Sequence, residues 1–243
     1  MTRTISRRAF MQLAAAGATG AVVPRFRRKQ PPMSAIAAVD HLIVGVADLE
    51  AGIAWFEQRT GVRAVVGGVH PGRGTRNALL GLGGRKYLEL LSVDPAQDPS
   101  LRSGLLAFKE PRLISWAAAT TSINDLSNRI RSSGLSAGAP RPGSRTRPDG
   151  SQLKWTTLTL ETAFEQGEIE PFPFFIEWDA TSRHPAEDSP KGCELVSFEF
   201  EYPDQDALRR SFAQAGIDAP VRKAPAPVLH ARLRTPKGEV ALS

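Results

Sequence analysis

One pattern, repeated three times, limits what this chain can become. A short apolar run leads into a capped helix, and the helix stops at a glycine. The first copy is VDHLIVGV, then Asp48 as N-cap, then LEAGIAWFEQRT, ending at Gly61. The second is LISWAAAT, then Ser122 with Asp125 three residues on, then INDLSNRIRSS, ending at Gly134. The third is LVSFEFEY, then Pro203–Asp204 opening QDALRRSFAQA, ending at Gly216. The helices carry apolar residues at helical spacing: Leu49, Ile53 and Phe56; Ile123, Leu126 and Ile130; Leu208 and Phe212. Short strand-like runs broken by Gly and Pro follow each glycine: RAVVGG, RNALLGLG and RKYLELLSV; QLKWTTLTL and PFFIEWD after the irregular GAPRPGSRTRPDG; APVRK, VLHARLRT and GEVALS. The expected class is α+β, built from tandem βαβββ units over residues 38–95 and 111–180, with a third βαβββ-like unit over 192–243. PAQDPSLRSG and TSRHPAEDSPKG are the connectors.

The net charge of +6 suggests nucleic acid until it is located. Arg3, Arg7, Arg8, Arg25, Arg27, Arg28 and Lys29 fall in the first thirty residues, which hold no acid. Taking those seven charges away leaves −1 for the remainder. A nearly neutral body gives a phosphate backbone nothing to hold, so no nucleic-acid partner is expected. The stretch SRRAFMQ followed by LAAAGATGAVV resembles a twin-arginine export signal, with paired Arg7–Arg8, Phe10 and a weakly apolar run. Residues 1–35 are therefore read as signal and linker, and the protein as periplasmic or secreted in folded form. Small-x-small triplets at Ala16–Ala18 and Ala35–Ala37 leave two cleavage points open. No apolar stretch is long enough to span a bilayer, so no stable membrane insertion is expected after processing. The single cysteine, Cys193, excludes an intrachain disulfide.

VDHLIVGVADLEAGIAWFEQRTGV, the Gly-rich GGVHPGRGTRNALLGLG and KYLELL together resemble the vicinal oxygen chelate superfamily, specifically its glyoxalase-like domains. The resemblance is strongest over residues 38–180. It implies the glyoxalase/bleomycin-resistance/dioxygenase fold, in which residues 36–185 form one glyoxalase-like domain and two curved half-sheets make a cup around a divalent metal.

Strand alternation bears on that cup independently. Leu42, Val44 and Val46 face the helix side, and His41, Ile43 and Gly45 the hollow. Tyr87, Glu89 and Leu91 share one face of their strand. Phe175 and Glu177 share a face opposite Phe174, Ile176 and Trp178. His41, Glu89 and Glu177 are expected to face one hollow as metal ligands. An imidazole with carboxylates suits Zn, Fe, Mn or Ni without choosing among them. Ser115 stands where a second-unit ligand is expected from the resemblance, so three ligands and an open position are predicted.

Glu89 and Glu177 are also candidates for moving a proton. His70, in HPGRGTRN, is a candidate shuttle or substitute ligand. Arg73 or Arg76 suits an anionic substrate, with Thr75, Asn77 and Ser115 as further substrate contacts. Each residue has a plainer role available: His41 as a strand histidine, Glu177 in an ion pair, His70 in a hairpin loop. His184 reads as a surface turn and His230 as structural. Two functions follow from the resemblance. One is an exported metal-dependent enzyme, of lyase, isomerase or dioxygenase type, acting on a small oxygen-rich molecule. The other is a metal-free binding protein of the bleomycin-resistance type. A homodimer through the third unit is left open.

Overall fold

The computed structural model describes residues 31–147, 149–165 and 168–243. The segment resembling a twin-arginine signal lies outside them, apart from its last few residues. The first unit runs β1 (Val39–Gly45), α1 (Leu49–Thr60), β2 (Val65–His70), β3 (Thr75–Gly81) and β4 (Tyr87–Val93). The second runs β5 (Arg112–Ala119), α2 (Ile123–Ser132), β6 (Arg141–Thr146), β7 (Gln152–Leu158) and β8 (Phe174–Trp178). In each, the opening strand pairs parallel with the closing one, and the remaining strands add outward antiparallel. Antiparallel pairing of β1 with β5 joins the units into one eight-stranded sheet, β2-β3-β4-β1-β5-β8-β7-β6. The sheet curls almost to closure, and its two edges meet where Arg145 on β6 donates from Nη1 to the carbonyl of Gly67 on β2. The fold is the α+β cup that the sequence predicts.

The helices sit where the alternation puts them. Leu42, Val44 and Val46 are at most 2% exposed. A side chain on Gly52 of α1 would strike Val46, so the helix lies directly against that face. Asp48 caps α1 by accepting from Ala51 N at 2.8 Å. The three terminating glycines all have positive φ, +78°, +90° and +81°, which L-residues with a side chain rarely adopt. On the hollow side, the space beside Gly45 is filled by Leu105 and Phe108 from the connector between the units.

Two local expectations are corrected. Ser122 makes no side-chain cap on α2. Glu177 does that work, its Oε2 accepting from Ile123 N at 2.9 Å. Glu177 therefore points to the helix side of the sheet, away from the hollow. Phe175 shares this face and is buried in the core.

The third segment runs β9 (Glu194–Tyr202), α3 (Gln205–Gln214), β10 (Val221–Lys223), β11 (Val228–Thr235) and β12 (Gly238–Leu242). Its element order repeats that of the first two, but its sheet order, β10-β9-β11-β12, does not. Here β9 pairs parallel with β10 and antiparallel with β11. Pro225 and Pro227 follow β10, and their missing N–H groups stop the ladder after three residues. The segment covers the helix-side face of the central sheet. Trp116 on β5, fully buried, packs against Phe198, Phe200 and Phe212 with ring centroids 5.1, 5.7 and 6.3 Å away.

Candidate active site

The hollow face of the first unit gathers a buried polar cluster in a chain that otherwise buries hydrocarbon. His41 is 3% exposed, Asn77 2%, Thr75 3% and Glu89 6%. Register explains the meeting. In β1 and β4, Ile43 lies opposite Glu89 and His41 opposite Tyr87. In β3, Asn77 lies opposite Leu91 and Leu79 opposite Glu89. Thr75, Asn77, His41 and Glu89 thus point to one side.

Hydrogen bonds fix which atoms face the carboxylate. Asp40 accepts at Oδ1 from His41 Nδ1 at 2.7 Å, and at Oδ2 from Trp178 Nε1 at 3.0 Å and His184 Nε2 at 3.1 Å. The other nitrogen of His184 accepts from Ala186 N at 3.1 Å, which makes Nε2 its N–H. Burial pushes the Asp40 pKa up, but the bonds from His184 and His41 outweigh it and hold the carboxyl at about 2. Asp40 is ionised and can only accept, so His41 carries its proton on Nδ1. Its Nε2 then faces Glu89 Oε2 at 3.6 Å.

His70 approaches from the other side. Asn77 donates Nδ2–H to Glu89 Oε1 at 2.6 Å and its second N–H toward His70 Nε2 at 3.3 Å. His70 Nδ1 lies 2.9 Å from Thr75 Oγ1, and its Nε2 lies 3.6 Å from Glu89 Oε1. Burial pushes the His70 pKa down, the Arg145 and Arg73 charges adding to this and the Glu89 charge opposing it. His70 is thus neutral near neutral pH. Tyr87 stacks on His41 with centroids 4.5 Å apart, and burial with the Asp40 and Glu89 charges drives its phenol well above 10.

The outcome for the predicted residues is mixed. His41, His70, Thr75, Asn77 and Glu89 come together. Ser115 lies opposite Ile43 in β5 and shares the hollow side. Arg73 is exposed on the turn between β2 and β3. Arg76 alternates with Asn77 and points to the helix side with Ala78, and its charge lowers the pKa of Asp94. His184 is no surface turn: it is 1% exposed and braces Asp40. Sequence reading also missed Asp40, although it stands next to His41. Glu177 caps α2, and Phe174, 5.7 Å from His41 between ring centroids, takes the hollow position of β8. The second unit therefore presents Ser115 and Phe174, and Ser115 is the weaker kind of donor.

The fit to a divalent metal rests on the first unit alone. Two imidazoles and a carboxylate are the donor chemistry of a His-His-carboxylate site. The Asp40–His41 bond is the kind of outer contact that orients a metal-binding imidazole. As they stand, the imidazoles approach different oxygens of Glu89, and among the described residues no three His, Cys, Asp or Glu side chains are arranged so that they could hold a metal ion. The donors fit in kind. Elsewhere, a surface cavity of about 480 Å³ is lined by Trp178, Arg85, Arg183 and Glu187. Its charged arms already pair with one another, Arg85 and Arg183 lying 3.5 and 3.6 Å from Glu187.

The profile of a family described as "Glyoxalase-like domain" matches residues 39–216, well over half of the chain. The chain belongs to this glyoxalase-like family, within the vicinal oxygen chelate superfamily. Among solved structures, a hypothetical protein from Staphylococcus aureus is 14% identical with a TM-score of 0.64, over 84% of this chain and 98% of that one. Methylmalonyl-CoA epimerase from Mycobacterium tuberculosis is 21% identical with a TM-score of 0.41, over 59% of this chain and 89% of that one. A Streptomyces coelicolor methylmalonyl-CoA epimerase is 19% identical with a TM-score of 0.42, over 60% and 97%. No curated protein matches the chain. No described helix is long and apolar enough to cross a membrane.

Proposed function

We propose that this glyoxalase-like chain is an exported, metal-dependent enzyme of lyase or isomerase type, acting on a small oxygen-bearing substrate held in the cup. One observation carries the reading: two imidazole nitrogens face a single buried carboxylate, each at 3.6 Å, with their outer nitrogens tied to Asp40 and Thr75. Three acceptors around one point repel unless a cation or a proton lies among them. Glu89, His41 and His70 would hold the cation, which when bound would stabilise negative charge developing on a substrate oxygen. Glu89 is placed to take a proton from the substrate and return it. Asn77 orients that carboxylate through its 2.6 Å bond. Asp40 holds His41 in the tautomer that presents Nε2 inward. Phe174, Tyr87 and the Leu105–Phe108 plug exclude water from the floor of the cup.

Elemental analysis tests this on the purified protein, beside His41→Ala, His70→Ala and Glu89→Ala. About one equivalent of a divalent transition metal per chain, lost in Glu89→Ala and reduced in both histidine variants, is the expected result. A wild-type protein that takes up no metal even after reconstitution would leave the metal-free binding protein as the better reading. Ser115 and Phe174, which offer no strong ligand from the second unit, are the observation on that side.

A further inference from the structure

Arg145 is the most unusual charge in the described molecule. It lies on β6, at the outer edge of the second unit, yet is only 6% exposed and reaches across to the first unit. Among the described residues its one hydrogen bond runs from Nη1 to the carbonyl of Gly67, and no carboxylate lies within ion-pair distance of it. A largely buried guanidinium with one carbonyl contact is costly, since no other acceptor among the described residues meets its remaining N–H groups. Arg stays charged even where burial pulls its pKa down, as it does here. The electrostatic reach of this charge takes in Glu89 and His70, which places it at the polar cluster.

The backbone opposite is shaped to receive it. The β2–β3 ladder shifts register between Val66 and Gly68, and Gly68 has φ +140°. A side chain there would come within 3.1 Å of Arg145 Nη1, and one on Gly67 within 2.5 Å of Asn77 Oδ1. Two adjacent glycines thus make room for the guanidinium on one side and the Asn77 amide on the other. Asn77 Oδ1 is itself buried with no partner among the described residues.

We infer that Arg145 is the anion-binding residue of the cup and that the substrate carries a carboxylate. This deepens the proposed function by naming a substrate class for the same site. The planar guanidinium offers two parallel N–H groups to a carboxylate. A phosphate dianion has the same acceptors, but it would put both of its charges on the one group beside the guanidinium, near buried Glu89, whereas a carboxylate brings only one charge there. Arg73 and Arg76, the sequence candidates for this task, lie on an exposed turn and on the other face of β3.

The test is calorimetric titration of the intact, metal-loaded protein with malonate, inorganic phosphate and the neutral propane-1,3-diol, using wild type, Arg145→Gln and Arg145→Lys. Malonate is expected to bind wild type, to bind Arg145→Gln at least tenfold more weakly and Arg145→Lys in between, with metal content unchanged in both variants. The lysine variant keeps the buried charge and so guards against misfolding of the glutamine one. Equal malonate binding by all three proteins, no malonate binding by wild type, or diol binding as strong as malonate would each overturn the inference. Arg145-dependent binding of phosphate without malonate would overturn the carboxylate assignment. A wild type that holds no metal but binds malonate through Arg145 would sink the metal reading and leave this inference standing.

Discussion

Asp40 shows how much one buried residue organises. Its carboxylate takes three N–H groups, from His41, His184 and Trp178, which belong to β1, the segment after β8 and β8 itself. It therefore locks the first unit to the second as well as setting the tautomer of His41. Because the folded pKa is held at about 2, below the ordinary 3.8, the contribution to stability is fully present above 3.8 and is lost as pH falls through about 2. That difference corresponds to on the order of 2 kcal/mol. Asp40→Asn is expected to be less stable than wild type by roughly that amount at pH 7, with the gap closing toward pH 2. Chemical unfolding of both proteins across this range measures it, and a gap independent of pH would show that the carboxylate charge is not what His41 and His184 hold. Metal affinity in the same variant should fall about tenfold or more, the usual effect of losing an outer partner of a ligating imidazole.

At the scale of elements, α2 owes its start to a residue from another strand. Ser122 has the right type and position for an N-cap, but Glu177 reaches the first free N–H of the helix instead. Glu177→Ala should lower stability by about 1 kcal/mol, the usual worth of a helix cap. Metal content should not change. Loss of metal in this variant, measured alongside Glu89→Ala, would put Glu177 back among the ligands. The element also shows what the sequence could and could not disclose. Period-two alternation in VDHLIVGV and KYLELL was enough to set His41 and Glu89 on the hollow side, because both strands are flanked by core residues that fix their faces. In PFFIEWD aromatic residues occupy both faces, so the alternation alone does not say which face looks inward, and Glu177 reads equally well either way. Arg145 was invisible for a different reason: it sits in GAPRPGSRTRPDG, whose Gly, Pro and Arg content reads as irregular, and only the near-closure of the sheet brings it to Gly67. Asp40 and His184 are 144 positions apart, and nothing local marks them as partners.

Taken as a whole, the described body ties its first residues to the third segment, and this bears on the proposed export. Met33–Ser34 pairs parallel with Ile217–Asp218 in the third segment, and Met33 N donates to Gly216 O at 2.9 Å. Ala35 and Ala38 are 1% and 3% exposed, packed into the same core as Phe198, Phe200 and Phe212. Residues from Met33 onward are therefore part of the folded body, although sequence reading assigned the chain to residue 35 to signal and linker. The third segment in turn shields Trp116 of the central sheet, so these few residues help close the core over the cup's outer face. Under the proposed export in folded form, a signal peptidase would meet this finished body. The small-x-small triplet at Ala35–Ala37 is then closed to it, because cleavage would require unpairing Met33–Ser34 and exposing Ala35. Of the two triplets, this leaves Ala16–Ala18, which lies outside the described residues. Expression with the native leader, followed by mass spectrometry of the exported protein, should give a mature chain beginning at Thr19. A mature chain beginning at Ala38 would mean that the segment is cut before the body folds, and would argue for an unfolded export route rather than the twin-arginine one.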